Sequence, residues 1–251
     1  MYSPRSGIRI GPQLTPMVKA LVLICAGIFV WSILIPAIGG IQAIQTFEET
    51  FGLVPPLVWG QLFVWQLATY IFLHGDFWHI LINMLVLWMF GCQLERVWGS
   101  RRFLKFFLIT GIGAGVLTVL LDPFSMAVTI GASGSIFGIL MAYWMLFPEQ
   151  SVYLYLVLPI KVKYFVPVIG LINLFNAYQV YVSNNPGVSN VAYLAHLGGM
   201  LTAFLYLKGW LSPNNIRKSY YRWKVRRMRS RFEVHEGRRT KARRDDDFWI
   251  N

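Results

Sequence analysis

Charge is what this chain has least of. Only 14% of its 251 residues are charged, against roughly 25% in an ordinary soluble domain, while 56% are hydrophobic. That balance excludes a water-soluble globular class and makes the bilayer the solvent to reason with. Cysteine is nearly absent. Cys25 and Cys92 each lie alone in an apolar run, which excludes a disulfide framework and a zinc knuckle and leaves two small buried side chains. Acidic residues number 11 against 23 basic ones, giving a net charge of +12. Most of those cations sit in a C-terminal tail and not on a foldable soluble face, so nucleic acid is not an expected partner. Internal repeats and low-complexity linkers are missing as well. The simplest division is a segment at residues 1–19, one membrane domain at 20–210 and a basic tail at 211–251.

What is there is a series of apolar runs. Residues 20–38 are too long for a signal-peptide core of about 7–15 residues, and no clear cleavage site follows them. At about 1.5 Å per residue they approach the roughly 30 Å of bilayer hydrocarbon, and Pro36 with Gly39 and Gly40 is expected to end the helix. Further runs cover 78–98, 103–121, 131–147, 164–182 and 188–207. Six spans are therefore expected in an all-α membrane fold. The fourth is short and follows an irregular stretch at 122–130, so it is expected to begin below the membrane surface and to line a hydrated cavity, because off-helix backbone at that depth needs protein or water around it.

Lys and Arg are confined to the region before helix one, the connections between helices two and three and between four and five, and the region after helix six. The positive-inside rule then puts both termini in the cytoplasm. The loop at 39–76, with Trp59 and Trp65 among apolar neighbours, reads as an external segment lying in the interface. In the tail, Tyr221, Val225, Met228 and Phe232 keep helical spacing among Arg222, Lys224, Arg226, Arg227, Arg229 and Arg231. That pattern fits either a basic helix attracted to anionic lipid or a solvated tail.

Polar side chains within spans are costly and are functional candidates by default. Ser133 opens the fourth helix in Gly131-Ala132-Ser133-Gly134, where free N–H groups and the positive dipole end suit a developing oxyanion. His196 lies inside helix six. Small residues Gly134, Gly138 and Ala142 on one helix, and Ala195, Gly199 and Ala203 on the other, form ridges that allow close approach. If the ridges face each other, the imidazole can take the serine proton, as in a catalytic triad without its acid. Phe137, one turn after Ser133, is placed to stack on His196. His74 and His79 enter helix two, and Asn83 shares a face with His79. His79 and Asn83 can donate to an oxyanion. No third carboxylate is evident, since Asp76, Asp122, Glu95 and Glu149 all fall near expected membrane surfaces.

His74-Gly75-x-x-x-His79-x-x-x-Asn83-Met84, Gly131-Ala132-Ser133-Gly134 and Ala195-His196, in that order, resemble the rhomboid family of intramembrane serine proteases. The resemblance extends over about residues 51–207 and includes Gly91-x-x-x-Glu95, Gly99-Ser100 and Gly198-Gly199. It implies a Ser133–His196 dyad, an oxyanion site of His79, Asn83 and the Ser133 N–H, a six-helix core, and neither metal nor cofactor. Two positions depart from the family pattern. Trp65-Gln66 stands where the family has Trp-Arg, and Phe137 stands where Tyr is frequent.

The resulting expectation is a serine endopeptidase acting on single-span membrane proteins, in the bilayer, with a bacterial plasma membrane as the best-fitting compartment for so short a chain. A rhomboid-like pseudoprotease acting as a binding module or chaperone shares the fold but should lack nucleophile or base. A metal hydrolase built on His74, His79 and His196 lacks a further ligand, and a transporter lacks acidic coupling residues within the spans.

Overall fold

A computed structural model describes residues 12–154, 158–183 and 191–209; the tail at 211–251, with its expected amphipathic spacing, lies outside them. The described residues up to Lys208 belong to one compact unit.

The first helix, α1 (Pro16–Phe51), is longer than the sequence suggests. It runs through Pro36 and breaks only at Gly40, whose φ of +74° lies in the left-handed region open to glycine. Proline at membrane depth costs a helix one hydrogen bond without obliging it to stop, so Pro36 is not the terminator expected. Two short helices, α2 (Pro55–Gly60) and α3 (Gln66–Thr69), and a 3-10 turn at Tyr70–Phe72 fold the loop after α1. Helix α4 (Phe77–Val86) continues through a π turn (Leu87–Gly91) into α5 (Cys92–Trp98). Asp76 starts it by accepting a hydrogen bond from the His79 N–H at 2.9 Å, a standard N-cap. Then come α6 (Ser100–Leu121), α7 (Ser133–Leu146), α8 (Val162–Ser183) and α9 (Val191–Leu207).

One expectation of an all-α chain needs correcting. Strands β1 (Ser151–Leu154) and β2 (Leu158–Lys161) pair antiparallel between α7 and α8. This connection is rich in Val, Tyr, Leu and Ile, which favour strands when no helical periodicity competes.

Among the described residues, four helical stretches are long and apolar enough to cross a membrane: Pro16–Phe51, Phe77–Trp98, Ser100–Leu121 and Val162–Val182. The apolar helices Ser133–Leu146 and Val191–Leu207 are shorter. Large apolar side chains cover the outside of α1 (Leu23, Ile24, Trp31, Ile38) and of α8 (Leu171, Ile172, Leu174, Phe175). In water such faces would aggregate; in lipid they are the surface the solvent selects.

Helices α6, α7 and α9 form the tight centre. A Cβ on Gly199 would lie 1.9 Å from the Gly134 carbonyl oxygen, so α9 rests on α7 backbone to backbone. The two small-residue ridges meet there, and a Cβ on Gly134 would also lie 3.4 Å from the Ala195 carbonyl oxygen. Gly138 receives Thr110 of α6, and Gly198 meets the Ala114 backbone of α6, so α6 joins the contact that the sequence suggested for two helices.

Candidate active site

The backbone just before α7 is tethered at several points. Leu53 and Thr129 exchange backbone hydrogen bonds of 2.8 and 2.9 Å, the Gly131 N–H donates to the Tyr70 carbonyl at 2.9 Å, and the Tyr70 hydroxyl donates to the Gly111 carbonyl at 2.7 Å. The irregular stretch at 122–130 is thus pinned to the folded first loop and to α6. Ser133 opens α7 after Ala132, which supplies no capping side chain, so the first N–H groups remain available as helix N-termini leave them.

On the neighbouring helix, His196 Nε2 stands 2.9 Å from Ser133 Oγ. Its ring lies flat on Phe137, with centroids 4.2 Å apart and planes inclined by 8°. Stacking fixes the plane of the imidazole, and a hydroxyl on residue 137 is not needed for it. Both dyad residues are half-buried. They are reachable, but from a confined space.

Gly131 explains how α4 joins them. Its φ is +123°, and a Cβ there would sit 2.6 Å from His79 Nε2 and 3.7 Å from Asn83 Nδ2. Only a glycine lets both side chains approach the backbone two residues before Ser133. Asn83 is buried, yet its Nδ2 has no hydrogen-bond partner among the described residues, an open donor beside Gly131. His74 lies edge-on to His79, with centroids 5.1 Å apart. Burial, reinforced by the neighbouring His79, pushes the His74 ring down to about 4, against a weaker upward pull from the Phe72 backbone. It is neutral at any ordinary pH.

Three residues have roles that sequence reasoning missed. Asn173 of α8 is buried and lies 2.8 Å, Oδ1 to Nδ1, from the far side of the His196 ring. The signal available was an amide within an apolar run, one of three there with Asn176 and Gln179. Gln66 is fully buried and hydrogen-bonds only to backbone: Oε1 accepts from the Val54 N–H at 3.0 Å, and Nε2 donates to the Glu49 carbonyl at 2.6 Å. It closes the end of α1 onto the loop without the charge of an arginine. Glu95, expected near a membrane surface, is buried. It accepts from the Met17 and Val18 N–H groups at 2.9 Å each and from the Thr15 and Ser100 hydroxyls, capping α1 from the first turn of α5. Among the described residues, no three His, Cys, Asp or Glu side chains converge as metal ligands would.

The model of the Rhomboid domain family matches residues 61–212, which includes α3 to α9 and every residue of the site. Among curated proteins, the chain is 34% identical over 140 residues to "Rhomboid protease GluP" of Bacillus subtilis, covering 56% of this chain and 25% of that protein. It is 29% identical over 171 residues to "RHOMBOID-like protein 5" of Arabidopsis thaliana, covering 62% and 50%. It is 28% identical over 155 residues to "Rhomboid protein 1, mitochondrial" of Saccharomyces cerevisiae, covering 60% and 42%. The chain thus spans half or less of the length of these relatives.

Proposed function

Because the chain belongs to the rhomboid family, we propose that it is a serine endopeptidase that hydrolyses peptide bonds of single-span membrane proteins within the bilayer. The observation that supports this most directly is the 2.9 Å approach of His196 Nε2 to Ser133 Oγ at the open N-terminus of an apolar helix. In this reading the neutral His196 ring takes the Ser133 proton as the oxygen attacks a substrate carbonyl carbon. The oxyanion that forms is held by the Ser133 N–H, Asn83 and His79, in a confined site where such donors act strongly. The imidazolium then gives its proton to the leaving amine. Water attacks the acyl-enzyme by the same route, its proton passing through His196 back to Ser133. Phe137 holds the ring, His74 supports His79, and Gly131, Gly134 and Gly199 permit the close approaches. Neither metal nor cofactor has a part.

In the membrane, α7 and α9 complete a set of six spans with the four longer stretches. Helix α7 has 14 residues, about 21 Å at about 1.5 Å each, so it starts below the surface. Lys and Arg distribution orients both termini to the cytoplasm, and the dyad opens toward the external side. A helical substrate protects its carbonyls by i to i−4 hydrogen bonds, so cleavage falls near the external end of a span, where small or helix-breaking residues let it unwind. Entry is lateral, past α8, with water reaching the dyad beneath the first loop. The membrane domain at 20–210 is sufficient for chemistry; the tail at 211–251 contributes attraction to anionic lipid of about 1 kcal/mol per cation near the surface.

The test is labelling of the full chain in detergent or lipid by a fluorophosphonate probe, beside cleavage of a reconstituted single-span substrate. Wild type should label and cleave, and Ser133→Ala should do neither. A folded wild-type protein that does neither is a rhomboid-like binding module or chaperone.

A further inference from the structure

Helix α8 buries a narrow stripe and turns the rest outward. Val166, Asn173 and Ala177 face inward, while Leu171, Ile172, Leu174 and Phe175 are exposed. A Cβ on Gly170 would sit 3.2 Å from Met200 Cε. Met200 lies one turn after His196, which brings Asn173, nearly one turn after Gly170, opposite the imidazole.

An amide within a span is costly unless both its ends are satisfied. Asn173 meets that condition in one orientation only. Its Nδ2 donates to the Ile169 carbonyl at 2.9 Å within α8, and an amide turned the other way would set oxygen against oxygen. Oδ1 therefore faces His196 Nδ1 at 2.8 Å as an acceptor. A carbonyl oxygen holds a neutral imidazole in the tautomer with the proton on Nδ1, leaving Nε2 bare toward Ser133.

We infer that Asn173 is the positioning residue of the dyad: it selects the His196 tautomer that can accept the Ser133 proton and orients the imidazolium that forms. The inference rests on the proteolytic reading above. A base in the wrong tautomer offers the serine a proton when it should take one, and loss of an orienting group of this kind costs a serine protease about 10⁴ in rate when the group is a carboxylate. An amide carries no charge to lose, so the expected loss is smaller, about 10²-fold. Because Asn173 rides on α8 and not on α7 or α9, the base is correctly set only while α8 is docked.

Asn173→Leu keeps the volume and the helix and removes the acceptor; Asn173→Ala is the second variant should the first fail to fold. Expected is a fall of about 10²-fold in kcat with KM little changed, at an unaltered thermal midpoint. The side-chain ¹⁵N spectrum of histidine-labelled protein, with His196 assigned by His196→Ala, should show the Nδ1–H tautomer in the wild type and a mixture in the variant. Wild-type kcat in the variant, or a tautomer that does not change, overturns the inference. The spectrum needs no turnover and can be recorded on a Ser133→Ala background, so a chain that proves not to cleave would refute the proteolytic reading and still leave the role of Asn173 measurable.

Discussion

At the scale of single residues, the site is a unit in which parts are not interchangeable. In the proposed mechanism Ser133 and His196, 2.9 Å apart, exchange one proton, so Ser133→Ala, His196→Ala and the double variant should all fall to nearly the same residual rate. On the same proposal, His79→Ala or Asn83→Ala removes one oxyanion donor and should cost about 10²–10³. Cleavage of a reconstituted substrate measures both, and additive losses would contradict a shared role. His74 makes a prediction about stability. Its folded value of about 4 lies below the 6.5 of an ordinary histidine, so between these pH values the unfolded chain binds a proton that the folded one excludes. The folded state therefore loses stability as pH falls through that window, by up to about 3 kcal/mol. The thermal midpoint of His74→Gln should fall less steeply from pH 7 to pH 4 than that of the wild type; identical slopes would assign the pH dependence elsewhere. Of these residues, Ser133, His196, His79, Asn83 and the stacking Phe137 stood out in the sequence as candidates. Asn173 did not, because nothing in an apolar run says which face of α8 meets the imidazole.

At the scale of elements, the decisive contact is helix on helix without side chains between. With the Gly134 carbonyl only 1.9 Å from where a Gly199 Cβ would stand, Gly199→Ala must push α9 from α7 and separate the dyad. Overpacking of a rigid contact costs typically 1–3 kcal/mol, and a shift of even 1 Å can cost about 10² in rate. Gly27→Ala is the control. Nothing lies within 4 Å of its Cβ position on α1, so it should be neutral or slightly stabilising through helix propensity. Thermal midpoints in detergent and cleavage rates for the pair decide the matter, and a harmless Gly199→Ala would show that α7 and α9 can slide apart freely.

At the scale of the whole molecule, the prediction is orientation. Cys25 and Cys92 are both fully buried and unpaired, so the wild type supplies a silent background for thiol labelling. In intact cells, an impermeant reagent should label Met126→Cys, in the exposed stretch before α7, and should spare Arg101→Cys at the start of α6. The opposite pattern would invert the topology. Residues 212 and 230, in the tail outside the described residues, should also be protected.

Periodicity, length and charge placement, which act locally and against a uniform solvent, determined the membrane class, the approximate limits of the apolar helices and the order of the polar residues among them. The candidate site residues stood out for the same reason, since a polar group in an apolar run has few explanations. Tertiary structure alone decided what each inward face meets. It carried α1 past Pro36, set Thr110 of α6 against Gly138, buried Glu95 as a cap for a helix some eighty residues earlier, and set Asn173 behind His196. Such contacts depend on how three or more helices share one volume, and a side chain's partner across that volume has no counterpart in the spacing of its own helix.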